Sequence, residues 1–234
     1  MGIAEAVKAV QKRINNSAVK AGRNPSDIRL VAVTKNVELA RIIEAVKTGV
    51  TVFGENRVQE AQQKISNLKF QISNLQIEWH LIGSLQKNKA KYAVQLFDLI
   101  HTIDSFGLAE EVNKQGEKED KIQRILVQVK LSEEETKHGI LEKNLMELLE
   151  KIISMGNLKL EGLMTMPPFF EDPEKTRPYF KRLREIKDKA EKKGFHLPEL
   201  SMGMSNDFEV AIEEGATMVR IGTAIFVNGL VYDP

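Results

Sequence analysis

The 234-residue chain contains no cysteine, which excludes disulfides, thiolate metal sites and cysteine nucleophiles. It has almost no net charge. Its 34 basic and 33 acidic side chains leave +1, so no global field draws it toward nucleic acid or an anionic membrane. No apolar stretch reaches the length of a membrane-spanning helix. The start is not a signal peptide either, because Ile3, Val7, Val10 and Ile14 recur at helical spacing with charges between them. Ala6 lacks the hydroxyl of a myristoylation site. Histidine is scarce, and its four copies have no carboxylate spacing that makes a metal site. No linker rich in Pro, Gly or Ser divides the chain. The expectation is one cytoplasmic domain over residues 1–234, with no metal, no nucleic acid and no membrane partner.

What is present is alternation. Short apolar runs read as strands at 29–34, 51–53, 78–82, 99–103, 124–129, 159–164, 199–202 and 218–221. Several are apolar on consecutive residues, which suits parallel strands covered on both faces. Between them lie amphipathic stripes: Leu39, Ile42, Ile43 and Val46; Leu145, Leu148, Leu149, Ile152 and Ile153; Tyr179, Leu183, Ile186 and Ala190. The charged run from Lys181 to Lys193 reads as a solvated helix face. Eight strands alternating with helices predict an α/β protein, a (β/α)8 TIM barrel with an extra N-terminal helix over 3–22. A doubly wound sheet is the alternative. A near-duplication, Ile65–Gln71 followed by Ile72–Gln76, reads as a lengthened helix or loop and carries no function.

Lys35 closes the run Ile28–Thr34. A charge directly after a β-branched apolar strand is expected to be poorly solvated, which lowers a lysine's pKa toward that of a usable nucleophile. At the other end stand two turns, Ser201-Met202-Gly203-Met204-Ser205-Asn206 and Arg220-Ile221-Gly222-Thr223. In a barrel they follow strands seven and eight, where phosphate docks. Glycine lets backbone N–H groups approach a phosphate, and Ser and Thr add hydroxyls. A lysine nucleophile with a phosphate cradle suggests a phosphorylated aldehyde held as a Schiff base, most simply pyridoxal 5′-phosphate (PLP).

Other residues carry two readings. Asn206 with Glu209 reads as a capping box opening a helix. Asn56 is placed to bond a ligand ring substituent or to cap the helix near Arg57. His80 lies inside strand three as a core histidine or a ligand contact, and Met202 and Ser205 are further candidates in the first turn. His101 and Asp104, near the end of strand four, read as a polar pair or, more safely, as buried support. Arg220, in strand eight, lies close to the expected ring pocket, and an arginine facing a pyridine nitrogen would keep it unprotonated and make the ring a poorer electron sink.

Together these segments resemble the pyridoxal phosphate homeostasis protein family, which is similar to the barrel domain of alanine racemase. The resemblance rests on Leu30–Lys35, Phe53-Gly54-Glu55-Asn56, Trp79–Gly83, Leu85–Lys89, Gly162-Leu163-Met164, Ser201–Ser205 and Val219–Phe226. It implies that Lys35 is the Schiff-base lysine and that Ser201, Gly222 and Thr223, with backbone near Gly203, hold the phosphate. By the same resemblance Arg220 faces the ring nitrogen and Asn56 lies beside the ring. It further implies binding and delivery of PLP, with PLP-dependent apoenzymes as recipients and a role in vitamin B6 and amino-acid balance. Three departures stand out. The family pattern Thr-Lys-Pro after the lysine is Asn36-Val37-Glu38 here, Arg57 replaces a frequent tyrosine, and Val227-Asn228-Gly229 replaces Gly-x-Arg.

Two other functions use the same residues. A PLP racemase needs an acid/base on each face of its substrate, and Tyr92, Tyr179 and Tyr232 do not read as the second base. The sequence also ends about a dozen residues after the last strand, leaving little room for the racemase's second domain, so racemase turnover is not expected and a monomer is. A cofactor-free Schiff-base aldolase acting on a sugar phosphate is the other alternative.

Overall fold

The computed structural model describes residues 2–71, 76–132, 134 and 138–227. Nine strands and nine α-helices are assigned among them. They are β1 (Arg29–Val33), β2 (Val52–Glu55), β3 (Glu78–Leu81), β4 (Leu99–Ile103), β5 (Gln123–Lys130), β6 (Ile140–Leu141), β7 (Leu158–Met164), β8 (Glu199–Ser201) and β9 (Met218–Ile221). The helices are α1 (Ile3–Lys20), α2 (Leu39–Lys47), α3 (Val58–Gln71), α4 (Ala90–Leu96), α5 (Phe106–Lys118), α6 (Glu142–Ile153), α7 (Arg177–Glu191), α8 (Phe208–Glu213) and α9 (Thr223–Phe226).

The sheet runs β4-β3-β2-β1-β9-β8-β7-β5, and β4 pairs with β5, closing a ring of eight. All of its pairings are parallel. The expected (β/α)8 barrel is what the chain forms, with α1 as the added helix. Closure removes exposed sheet edges and puts every strand C-terminus on one rim. The two-residue β6 extends β5 beside the ring. It was not anticipated, being too short to show a period.

Two apolar layers follow from strand alternation. Val31, Val52, Leu99, Leu126, Met164 and Met218 pack together inside the ring. Their neighbours, such as Ala32, Phe53, Ile100, Ile125 and Leu163, pack outward against the helices. The α1 stripe of Ile3, Val7, Val10 and Ile14 is buried as expected, and α1 packs against α2, α8 and α9. Two other stripes shift. On α7 Phe180, not Tyr179, leads the buried face, and on α6 Ile153 is exposed while the other four are buried or nearly so.

The strand boundaries move slightly. β2 runs on through Gly54 and Glu55, and β8 stops at Ser201. The first copy of the near-duplication completes α3, while residues 72–75 lie outside the described residues.

At the N-terminal end of the barrel an ionic layer closes the interior. Arg124 bonds Glu78 at 2.5 Å and Glu161 at 2.9 Å, Lys159 bonds Glu161 at 2.8 Å, and Arg29 lies 3.7 Å from Glu78 and 3.6 Å from Glu199. The conserved geometry of barrels assigns this end to stability and the opposite rim to chemistry.

Candidate functional site

The sequence-expected residues come from four strands adjacent in the ring, in the order β2-β1-β9-β8. Lys35 follows β1, Asn56 follows β2, Ser201 ends β8 with Gly203 beyond it, and Arg220, Gly222 and Thr223 end β9 or follow it. Val33 is level with Gly54 on one side, and Gly222 reaches it on the other: a Cβ on Gly222 would stand 3.3 Å from Val33 Cβ. Two glycines thus flank Val33, although a Cβ on Gly54 would already stand 3.0 Å from Val31 Cγ1 and 3.2 Å from Ile82 Cδ1.

Lys35 does not behave as expected in one respect. It is exposed, so the desolvation argued from its position after a buried strand is absent. It sits at the second position of a turn closed by Val37 N–H donating to Thr34 O at 3.0 Å, and Asn36, the third position, has φ 55°. Asparagine is among the few residues that adopt this left-handed conformation readily.

The turn is fixed from below. The Lys64 ammonium donates to Thr34 O at 2.5 Å and to Glu55 Oε1 at 2.8 Å, and the Thr34 hydroxyl donates to the same carboxylate oxygen. Glu55 is fully buried. Neither Glu55 nor Lys64 was singled out from sequence. Strand alternation offers the signal, because Glu55 shares the outward face of Phe53 and so meets α3.

Asn56 does not cap α3 with its side chain; its Oδ1 is buried with no partner among the described residues. An orphaned acceptor at a rim calls for a donor from water or a ligand. Gly83 also matters here, since a Cβ on it would fall 2.1 Å from Asn56 O.

Beyond β8, Gly203 has φ 92°, and its carbonyl accepts from Arg220 N–H at 3.0 Å. Ser205 Oγ accepts from Ala224 N–H at 3.4 Å, so the two glycine turns touch. The expected capping box is not formed. Asn206 donates its amide to Phe170 O at 2.9 Å, and Glu209 pairs with Arg13 at 2.6 Å. The carboxylate that orders this loop is Asp207, which accepts Met204 N–H at 2.6 Å; burial raises its pKa.

Arg220 is buried and points into the ring. Its Nη1 donates to Ser201 Oγ at 2.6 Å and its Nη2 to Thr165 O at 3.0 Å. Desolvation lowers its pKa to about 10, partly offset by the charge of Asp207, so it stays cationic at neutral pH. No described carboxylate pairs with it directly.

Four side chains do not make the ligand contact or pairing that the sequence offered as a reading. The Ser201 hydroxyl lies below the rim, fully buried between Arg220 and His101 Nδ1 (2.9 Å), and is not free to hold a phosphate. His80 uses both ring nitrogens, on Glu78 Oε1 and on His101, each at 2.9 Å, which leaves none for a ligand. Met202 is buried in the layer between barrel and helices. His101 turns to His80 and Ser201 rather than to Asp104. Asn228 and Gly229 of the altered ending, and Tyr232, lie outside the described residues.

Residues 7–228 match the alanine racemase N-terminal domain family. The chain is 45% identical over 227 residues to the pyridoxal phosphate homeostasis protein of Aquifex aeolicus, covering 97% of this chain and 98% of that protein. The chain belongs to that family. The homologue of the same name in Escherichia coli K12 is 38% identical over 228 residues, covering 96% of this chain and 95% of that one. Among solved structures, PipY of Synechococcus elongatus PCC7942 with PLP bound superposes with a TM-score of 0.85 at 34% identity, covering 96% of this chain and 99% of PipY. An alanine racemase of Clostridium difficile, 16% identical with a TM-score of 0.71, shares the fold over 94% of this chain and 56% of its own length. Family membership thus agrees with the resemblance read from the segments around Lys35, Gly203 and Gly222.

Proposed function

We propose that residues 1–234 form one PLP-binding domain that holds the cofactor at the β8-β9-β1-β2 rim and works in intracellular PLP and amino-acid homeostasis without turnover of its own. The observation that carries this reading is the convergence of an exposed lysine, two glycine turns and a buried unpaired arginine on four adjacent strand ends. The names of the relatives and the PLP in the PipY structure support it.

The residues present fit the group. When bound, PLP supplies an aldehyde for covalent attachment, an aromatic ring and a phosphate. Lys35 offers the amine, free of any hydrogen bond or ion pair to described residues and presented by a turn whose base is clamped. Asn56 offers an acceptor without a partner, suited to a ring hydroxyl. Gly222, Thr223 and the backbone near Gly203 form the anion-facing turns, with Ser205 bridging them. Arg220 sets a permanent cation beneath the ring nitrogen, and a guanidinium that only donates favours an unprotonated nitrogen. That disfavours carbanion chemistry, and the exposed rim around Lys35 gives water access. Both features favour a carrier over a racemase. PLP-dependent apoenzymes are the partners such a carrier serves, as a monomer in the cytoplasm.

The test is spectroscopic. Purified protein with PLP is expected to show a visible band that borohydride abolishes, fixing the cofactor's mass on Lys35, with no band in Lys35→Ala. A colourless protein trapped by borohydride only with a sugar phosphate would replace this reading with an aldolase.

A further inference from the structure

A continuous chain of side chains crosses the barrel interior from the ionic layer to the rim. Its members are Arg220, Ser201, His101, His80 and Glu78, linked at 2.6, 2.9, 2.9 and 2.9 Å. Both imidazoles and the hydroxyl are fully buried, and solvent reaches the chain only at the half-buried Glu78.

The chemistry of the two ends orders every hydrogen between them. Arg220 has only donors, so Ser201 Oγ accepts from it and the hydroxyl hydrogen is free to go on to His101 Nδ1. His101 Nδ1 is then an acceptor, and its hydrogen sits on Nε2, aimed at His80 Nδ1. His80 in turn carries its hydrogen on Nε2 and gives it to Glu78 Oε1. That carboxylate, which also bonds Arg124, only accepts. Both histidines are neutral Nε2–H tautomers, and four hydrogen bonds run one way from guanidinium to carboxylate. In this order a second proton on His80 Nδ1 would face the His101 Nε2–H, and one on His101 Nδ1 would displace the Ser201 hydroxyl hydrogen from its acceptor.

This order bears on Arg220. The guanidinium is held by two acceptors, Ser201 Oγ and Thr165 O. The Thr165 carbonyl is backbone and fixed. A serine hydroxyl rotates freely unless its own hydrogen is engaged. His101 engages it, and His80 fixes the tautomer by which His101 can do so, as an outer partner fixes a liganding imidazole.

We propose that His80 and His101 are positioning residues that hold the Arg220 guanidinium, through Ser201, in a single orientation beneath the ring of the bound cofactor, with Glu78 setting the direction of the chain. The inference rests on the PLP reading above and assigns a role to residues beneath the binding rim, none of which touches the cofactor.

The experiment compares wild type with Ser201→Ala, Ser201→Thr and His101→Phe. Histidine ¹⁵N resonances of the PLP-free protein report the tautomers, and titration with PLP reports affinity together with the pH midpoint of the visible band of the bound cofactor. In wild type both buried imidazoles are expected as neutral Nε2–H tautomers. Ser201→Ala and His101→Phe are expected to weaken PLP binding about tenfold and to move the band's pH midpoint, while Ser201→Thr, which keeps the hydroxyl, restores both. Loss of packing alone would lower stability without moving that midpoint. Should His101→Phe fail to fold, the Ser201 pair decides. The proposal is overturned if wild type binds PLP and both disrupting variants leave affinity and midpoint unchanged, or if the histidines carry the other tautomer. A wild type that does not take up PLP overturns the functional reading itself, a distinct outcome.

Discussion

His101 Nε2 lies 2.9 Å from His80 Nδ1 in the barrel interior, a contact in which one nitrogen donates and the other accepts. Burial pushes both imidazoles below their ordinary pKa, His101 furthest. The cationic groups facing them, Arg29, Arg124 and, for His101, Arg220, add to the effect, while Glu78 opposes it for His80.

Stability should therefore fall on mild acidification. The unfolded chain takes up protons on these histidines below pH 6.5 and the folded chain does not, so folding free energy is fully present above 6.5 and declines below it. Each fully excluded proton contributes a slope of about 1.4 kcal/mol per pH unit. A further decline is expected between pH 4.5 and about 2, where Glu78 is held down chiefly by its hydrogen bond from His80. Urea denaturation of wild type and His101→Phe from pH 7.5 to 5 checks the sign. A wild-type curve that is flat between 6.5 and 5 contradicts it.

Lys64 is the clamp on the Lys35 turn, with Glu55 wholly buried beneath it. Lys64→Met would leave a buried carboxylate without its cation, which costs about 3 kcal/mol in comparable pairs. The double variant Lys64→Met/Glu55→Gln should recover much of that loss while still loosening the turn, so that stability returns and PLP affinity does not. Chemical denaturation with PLP titration on both variants separates the two effects. Equal recovery of both would show that the clamp only stabilises the fold.

How much was legible in the sequence depended on whether the signal was local. Each barrel strand is an apolar run bounded by helix-period segments, and α1 announces itself through Ile3, Val7, Val10 and Ile14, so the architecture could be read directly. Lys35, Gly203 and Gly222 were legible because the fold assigns strand ends a common rim. What escaped depended on side-chain direction. Ser201 and Thr223 look alike in a turn, yet Ser201 points inward to Arg220 and Thr223 is exposed. Glu78 and His80 share β3 and His101 lies on the neighbouring β4, but the contact of His101 with Ser201 of β8 forms only when the ring closes. The exposure of Lys35 was missed because a two-residue turn lifts it clear of the strand whose burial the sequence does show.

Asn36 gives that turn its shape. At φ 55° a β-branched residue is strained by about 1–2 kcal/mol, whereas glycine is not. Asn36→Val should lower thermal stability or PLP affinity by that order, and Asn36→Gly should leave both nearly unchanged. Thermal melts and PLP titration of the two variants read the difference, and a harmless Asn36→Val would mean the turn does not need its left-handed residue.

Purified, PLP-loaded protein is expected not to racemise alanine at ordinary enzyme rates, about 1 s⁻¹ or more. An arginine facing the ring nitrogen, the role proposed for Arg220, and the water access at the exposed Lys35 both argue against a stabilised carbanion. A polarimetric or coupled assay at saturating alanine decides, and turnover near that rate would make the protein an enzyme.

Gly203 and Gly222, in the turns after β8 and β9, should respond differently to the same methyl group. At Gly203 a Cβ would stand 2.5 Å from Ala211 Cβ and 3.0 Å from Phe208 Cα, and φ 92° is itself unfavourable for alanine. Gly203→Ala must push α8 off the barrel, and a loss of about 2 kcal/mol or more in urea denaturation is expected. At Gly222 φ is −113°, outside the left-handed region, and the three atoms nearest to a Cβ all belong to Val33, the closest being its Cβ at 3.3 Å. Gly222→Ala should therefore fold almost as stably as wild type. Its methyl would still project over the floor formed by Val33, so PLP affinity should drop at least tenfold if the cofactor lies there. If Gly222→Ala binds PLP as wild type does, that floor is not where the cofactor lies.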